Sequence, residues 1–121
     1  MEKADCASYR QFLNQHVDFP MILGFDNHAY CNYIMERRGL TRPVCKPTNT
    51  FIHAPTSEVQ AICRGCNQNN ECDSNAAYPL TTCRVRSPPR PPRCIYRGIP
   101  QTRRIRVACV GGLPMRFIRV L

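Results

Sequence analysis

Apolar positions recur at helical spacing through the first half of the chain and alternate with polar ones through the second. Residues 5–17, DCASYRQFLNQHV, place Tyr9, Phe12, Leu13 and His16 at i, i+3, i+4 and i+7, one face of a helix, with Asp5 as its N-cap. His16 is therefore expected to point toward the body of the protein. Residues 28–38 bring Cys31, Ile34 and Met35 to one helical face, and Gly39 supplies the stop. Residues 56–64, after Pro55, predict a third short helix with Val59, Ile62 and Cys63 inward. Beyond this point the pattern turns to strands at 78–86, 93–99, 103–110 and 115–121, rich in Thr, Val, Ile and Tyr. Ile105, Val107 and Cys109 alternate with Arg104, Arg106 and Ala108, which predicts a sheet with one basic, solvent-facing side. The stretch SPPRPPR, 87–93, reads as an exposed polyproline-like connection between strands. No internal repeat is found. The class is α+β: three short helices packed on a curved antiparallel sheet.

A length of 121 residues suits a single domain, 1–121, with one small core. Nine cysteines in so short a chain change the picture, because a small domain gains stability when disulfides restrict its unfolded state, by roughly 2–4 kcal/mol each. They predict an oxidising compartment and a secreted, extracellular protein. With no charged n-region and apolar run at the start, the sequence reads as a mature form. Cys63, Cys66 and Cys72 include one C-x-x-C, but a structural zinc site wants a second pair or spaced histidines, so no metal and no cofactor is expected. The odd count leaves one cysteine over. Cys6, far upstream of the others, is the candidate for a free thiol in a monomer or for a link between two chains.

Charge is unevenly distributed. Residues 84–121 carry ten Arg and no Asp, Glu or Lys, whereas residues 1–83 carry seven Lys and Arg against eight acids. An arginine-rich surface attracts polyanions by counterion release, and nucleic acid, heparan-type glycans and anionic microbial membranes all qualify as partners.

Candidate chemistry lies in three separated places. Gln15 and His16, followed by Asp18, end the first helix. A His there is ordinarily a packed core residue. In CKPTNTF, 45–51, Lys46 follows a cysteine, and Thr50 offers a donor and an acceptor on a strand. Together, Q-H-x-D, C-K-P-x-N-T-F and the C-x-x-x-L-P of 109–114 resemble the pancreatic-type ribonuclease (RNase A) superfamily over nearly the whole chain. ERRGL (36–40), NTFIH (49–53) and CVGGLP (109–114) look more like the angiogenins and the fish or reptile members than the mammalian digestive enzymes.

The resemblance implies a disulfide-stapled, ribonuclease A-like fold with bridges Cys31–Cys83, Cys45–Cys94, Cys63–Cys109 and Cys66–Cys72. The cysteines themselves leave 105 pairings open for eight residues. It further implies cleavage of RNA 3′ of pyrimidines through a 2′,3′-cyclic phosphate. In that reading His16 takes the 2′-hydroxyl proton, Lys46 stabilises the phosphorane, Thr50 reads the pyrimidine, and Gln15 and the backbone of Phe117 contact phosphate. The division of labour needs two groups that titrate near neutrality, which is histidine's property.

The family's last motif, L-P-V-H followed by an apolar residue and Asp, is here Leu113, Pro114, Met115, Arg116, Phe117 and Ile118. Arg116 stands where the second His is expected and Ile118 where its orienting Asp would be. Arginine, with a pKa above about 12, holds a phosphate but gives up no proton at useful rates. Loss of a general acid costs on the order of 10²- to 10⁴-fold. His28 and His53 do not occupy the general-acid position. The small loop CNQNNEC is one residue shorter than in the digestive enzymes and has Glu71 before its closing cysteine, which leaves the purine side open. Two functions follow: a secreted endoribonuclease of low activity, or a cationic host-defence or angiogenin-like binding protein on the same scaffold. Glu36 interrupts the arginine run that the angiogenin segment would have. Intact Gln15, His16, Lys46 and Thr50 favour an RNA-directed protein.

Overall fold

A computed structural model describes residues 6–86, 89–91 and 93–121, the side chains of Cys6 and Ala7 excepted. The Asp5 cap, the Cys6 thiol, and Ser87, Pro88 and Pro92 of the polyproline stretch lie outside the described residues.

Helix α1 spans Cys6–His16, α2 Asn27–Arg37 and α3 Thr56–Ala61, the last continued by a 3-10 turn over Ile62–Arg64. These are the three helices read from the periodicity. The cap of α2 is Asp26, whose carboxylate accepts from the Ala29 amide at 2.7 Å. Tyr30 joins Cys31, Ile34 and Met35 on its buried face.

Among the described residues six strands follow in chain order: β1 Thr48–Ile52, β2 Glu71–Asp73, β3 Tyr78–Val85, β4 Tyr96–Arg103, β5 Ile105–Val110 and β6 Leu113–Val120. They form two antiparallel sheets of three, ordered β1-β3-β4 and β2-β5-β6. The chain passes from one sheet to the other at Arg104. The core is correspondingly double where one small core was expected. One cluster gathers Phe12, Ile52, Val59, Leu80, Ile105 and Val107 under α1 and α3; the other gathers Tyr30, Ile34, Met35, Phe51 and Tyr96 under α2. Each sheet needs its own apolar partner, and different helices supply them.

β4 differs most from its expected bounds, running to Arg103 through Pro100. A proline is tolerated because β4 is an edge strand, where a missing N–H breaks no ladder bond. Two outward amides of that edge are taken by α2: Tyr96 N–H donates to Asn32 Oδ1 at 2.8 Å, and Gly98 N–H to His28 Nδ1 at 2.9 Å. Gly98 permits this approach, since a Cβ there would lie 2.1 Å from the Asn27 carbonyl oxygen.

β5 and β6 are joined by a two-residue turn, Gly111 (φ 60°) and Gly112 (φ 80°), the left-handed pair that a type I′ hairpin requires. Pairs run Ile105 with Val120, Arg106 with Arg119, Val107 with Phe117, Ala108 with Arg116 and Cys109 with Pro114. Bulges fall at Ile118 and Met115, residues of β6 that have no opposite number.

Disulfides close the frame. Cys31–Cys83 ties α2 to β3, Cys45–Cys94 ties the approach to β1 to that of β4, Cys63–Cys109 ties the 3-10 turn to β5, and Cys66–Cys72 closes a small loop. The sulfurs of Cys66, Cys72 and Cys109 lie together, but all three are in bridges and none is a thiolate.

Candidate active site

The last turn of α1 lies along β1 and delivers His16, 8% exposed, against that strand. Its Nδ1 is 2.9 Å from the Thr50 carbonyl oxygen. A carbonyl only accepts, so Nδ1 carries the proton and Nε2 of the neutral ring is left with a lone pair. The ring stacks on Phe117 at 5.2 Å and packs obliquely on Phe12 at 5.3 Å. Burial pushes the pKa down to about 4; the Thr50 carbonyl opposes the fall and the Lys46 charge adds to it. His16 is therefore neutral at physiological pH, the state a general base must start from.

Lys46 is held from three sides. Its amide donates to the Leu40 carbonyl, its carbonyl accepts from the Tyr96 hydroxyl at 2.9 Å, and the neighbouring Cys45 is bridged. Its ammonium donates to Asn49 Oδ1 at 2.7 Å, and Asn49 Nδ2 donates to the Gln15 carbonyl at 2.7 Å. Asn49 thus links the lysine to the turn of α1 that carries Gln15 and His16. Partial burial lowers the pKa of Lys46. The only sign of this role in the sequence is an Asn inside a strand, where that residue is disfavoured.

Thr50 projects its hydroxyl to Thr82, its direct partner on β3, at an oxygen separation of 2.9 Å. Both line a cleft of about 350 Å³ with Thr48, Arg84, Ile99 and Phe117. Two hydroxyls that each donate or accept, beside an aromatic ring, form a surface suited to a flat heteroaromatic base. Thr82 too was not singled out from the sequence; only the β1-β3 register brings it to Thr50.

Arg116 is exposed and lies across from Ala108, on the face of β6 opposite to Phe117. In its row Glu71 of β2 pairs with Ala108, so acid, alanine and arginine cross the sheet in line. Ile118 occupies a bulge and has no carboxylate to offer. Neither remaining histidine is in reserve. His53 donates from Nδ1 to the Asp18 carbonyl at 2.9 Å and meets Thr81 Oγ1 at 2.8 Å, while His28 accepts from Gly98 at the α2-β4 junction.

A buried polar cluster supports the site from behind. Asp18 accepts from the Tyr30 hydroxyl at 2.5 Å and pairs with Arg38 at 3.1 Å. Burial and Asp18 push the Tyr30 phenol well up, so it stays a donor. Arg38 also donates to the carbonyls of Leu13, Asn14 and Val17, capping the C-terminal end of α1. The second arginine of ERRGL is consequently a structural clamp, while Arg37 is exposed.

The chain is similar to known proteins over most of its length. The family described as pancreatic ribonuclease matches residues 7–118. A ribonuclease of Chelydra serpentina is 46% identical over 112 residues, 90% of this chain and 94% of that protein. A ribonuclease of Chelonia mydas is 46% identical over 116 residues, covering 93% and 98%. Angiogenin-2 of Bos taurus is 43% identical over 115 residues, covering 91% and 90%. The crystal structure of green turtle egg white ribonuclease superposes with a TM-score of 0.89 at 45% identity, over 94% of this chain and 98% of that one.

Proposed function

We propose, since the chain belongs to the pancreatic ribonuclease family, that it is a secreted, RNA-directed protein whose site binds a pyrimidine nucleotide and retains the base but not the acid of the cleavage reaction. The observation that carries this reading is the Thr50 carbonyl on His16 Nδ1, which leaves Nε2 unprotonated within electrostatic reach of Lys46. Multiple disulfides fit an extracellular setting.

In the proposed reaction the 2′-hydroxyl gives its proton to His16 Nε2 as O2′ attacks phosphorus. The P–O5′ bond breaks, and a 2′,3′-cyclic phosphate forms. Lys46 and Arg116 stabilise the added charge on the phosphoryl oxygens, with Gln15 and the Phe117 backbone as further phosphate contacts. The departing O5′ takes its proton from water, because a guanidinium has none to give near neutrality. Thr50, partnered by Thr82, reads the pyrimidine. The expected result is tight binding and slow turnover.

The test is cleavage of a pyrimidine-containing RNA by the parent chain, by Arg116→His and by His16→Ala. An inert or very slow parent with a gain on the order of 10²-fold or more in Arg116→His supports the reading. A fast parent that His16→Ala abolishes would mean that another group supplies the proton.

A second reading, a cationic host-defence or angiogenin-like binding protein, draws on the exposed arginines and on Ile118 at the bulge. Its polyanions would be heparan-type glycans or microbial membranes, and Cys6 would decide between monomer and linked dimer. Intact mass and a non-reducing gel report on that thiol directly.

A further inference from the structure

The outer face of the β2-β5-β6 sheet carries charge that the proposed chemistry does not use. One row, Glu71–Ala108–Arg116, crosses the sheet. The next row is Asp73–Arg106–Arg119. Here two arginines stand directly opposite each other on neighbouring strands, an arrangement that is destabilising unless something neutralises it. Asp73 does so for one of them: Arg106 grips it through Nε at 2.6 Å and a second nitrogen at 3.1 Å. The Asp73 carboxyl is held below its usual range by the hydrogen bonds from Arg106 first, and the charges of Arg104 and Arg119 add to this.

The bulge at Ile118 makes this face. Without it, Arg116 and Arg119, three residues apart, would project to opposite sides of β6; with it, they pair with Ala108, itself buried, and with Arg106, two residues apart on one face of β5. Each row has its acid at the β2 end and an arginine at the β6 end. Adjacent rows are two residues apart, ~6.6 Å at about 3.3 Å per residue, comparable with one step of an extended nucleotide chain.

The side chains are also pre-oriented. Arg104 spends Nε on the Ser74 carbonyl at 2.8 Å, and Arg119 directs Nε to the Val120 carbonyl at 3.4 Å. Both keep their terminal guanidinium nitrogens outside these bonds.

We infer that Arg104, Arg106 and Arg119 form a second phosphate-binding site, one nucleotide beyond Arg116, that takes the backbone of an RNA strand running out of the candidate active site along β6. This rests on the RNA-directed reading above. A merely solvated basic face would show neither the alignment with Arg116 nor acids confined to one side.

The test uses fluorescence anisotropy with uncleavable 2′-O-methyl pyrimidine RNAs, a dinucleotide and an octanucleotide, on the full chain and on Arg119→Ala, Arg104→Ala, Arg119→Lys and Arg90→Ala. Arg119→Ala and Arg104→Ala should each weaken the octanucleotide about 3- to 10-fold at low salt and lower the slope of log affinity against log salt by about 0.7, the single-strand value per phosphate. Arg119→Lys should keep the slope, and dinucleotide binding should be unchanged in all. Equal losses in Arg90→Ala, which changes net charge elsewhere, would overturn the site, as would an unaffected octanucleotide. An equal loss for a heparin octasaccharide would overturn its assignment to RNA. Failure of the parent chain to bind even the dinucleotide would instead sink the RNA-directed reading itself.

Discussion

Nδ1 of His16 donates to the carbonyl oxygen of Thr50, 2.9 Å away on β1, so that one peptide group fixes both the tautomer of the ring and its place at the end of α1. The same residue lines the cleft shared with Thr82 and Phe117, its hydroxyl on Thr82. Position 50 therefore couples the ring proposed as the general base to the proposed recognition of a base through a single backbone segment.

Burial of His16 makes stability depend on acid. Its pKa falls from 6.5 to about 4 in the folded protein, so between those values the unfolded chain binds more protons. Stability from this group is complete above about pH 6.5 and is lost as the pH falls toward 4, by on the order of 3 kcal/mol in all. Urea denaturation at pH 7, 5 and 4 should show this loss in the parent and a distinctly smaller one in His16→Phe. Parallel curves for the two proteins would contradict it.

Asn49 is the joint between Lys46 and α1. Asn49→Ala should cost about 1–3 kcal/mol, because it leaves the Gln15 carbonyl and the lysine without their buried partner. It should also weaken binding of a pyrimidine nucleotide more than an equally destabilising core substitution such as Ile34→Val. Calorimetric titration beside thermal melting separates the two effects.

In the proposed reading Thr82 competes with a bound base for the Thr50 hydroxyl. Thr82→Val removes that competitor, and pyrimidine nucleotides should bind up to about 5-fold tighter, corresponding to ~1 kcal/mol for one neutral hydrogen bond. Unchanged or weaker binding of both cytidine and uridine nucleotides would mean that Thr82 supports the base rather than competing for the hydroxyl.

The adjacent arginines of ERRGL should behave in opposite ways. Arg38→Ala strips the α1 end of its cap and leaves Asp18 buried without its cation, a loss of about 3–5 kcal/mol. Arg37→Ala, at an exposed position, should stay within about 0.5 kcal/mol. Chemical denaturation midpoints of the pair decide it.

The helices were legible because each buries a stripe with a period near four. Tyr9, Phe12 and Leu13 mark α1 whatever they pack against. β2 was not legible: its three residues lie between turn-forming asparagines and carry two acids, and only pairing with β5 makes them a strand. β4 was displaced because Pro100 reads as a stop unless the strand is known to be an edge. Within the site, His16, Lys46 and Thr50 stood out by residue type and by likeness to a known family. Asn49 and Thr82 did not, since their roles arise from register and from a helix packed 34 residues away in the chain. The outward alignment of Arg116 with Arg119 depends on a bulge that no alternation rule anticipates.

The edge of β4 has a consequence for how the molecule meets other chains. Its outward donors at Tyr96 and Gly98 are already engaged by Asn32 and His28, and the next outward position, Pro100, has no N–H at all. A stray β-segment approaching that side would meet a strand with nothing to donate at three successive alternate positions. The molecule thereby resists intermolecular strand addition at this edge through its own backbone chemistry, in addition to the mutual repulsion of chains that each carry a net charge of +9.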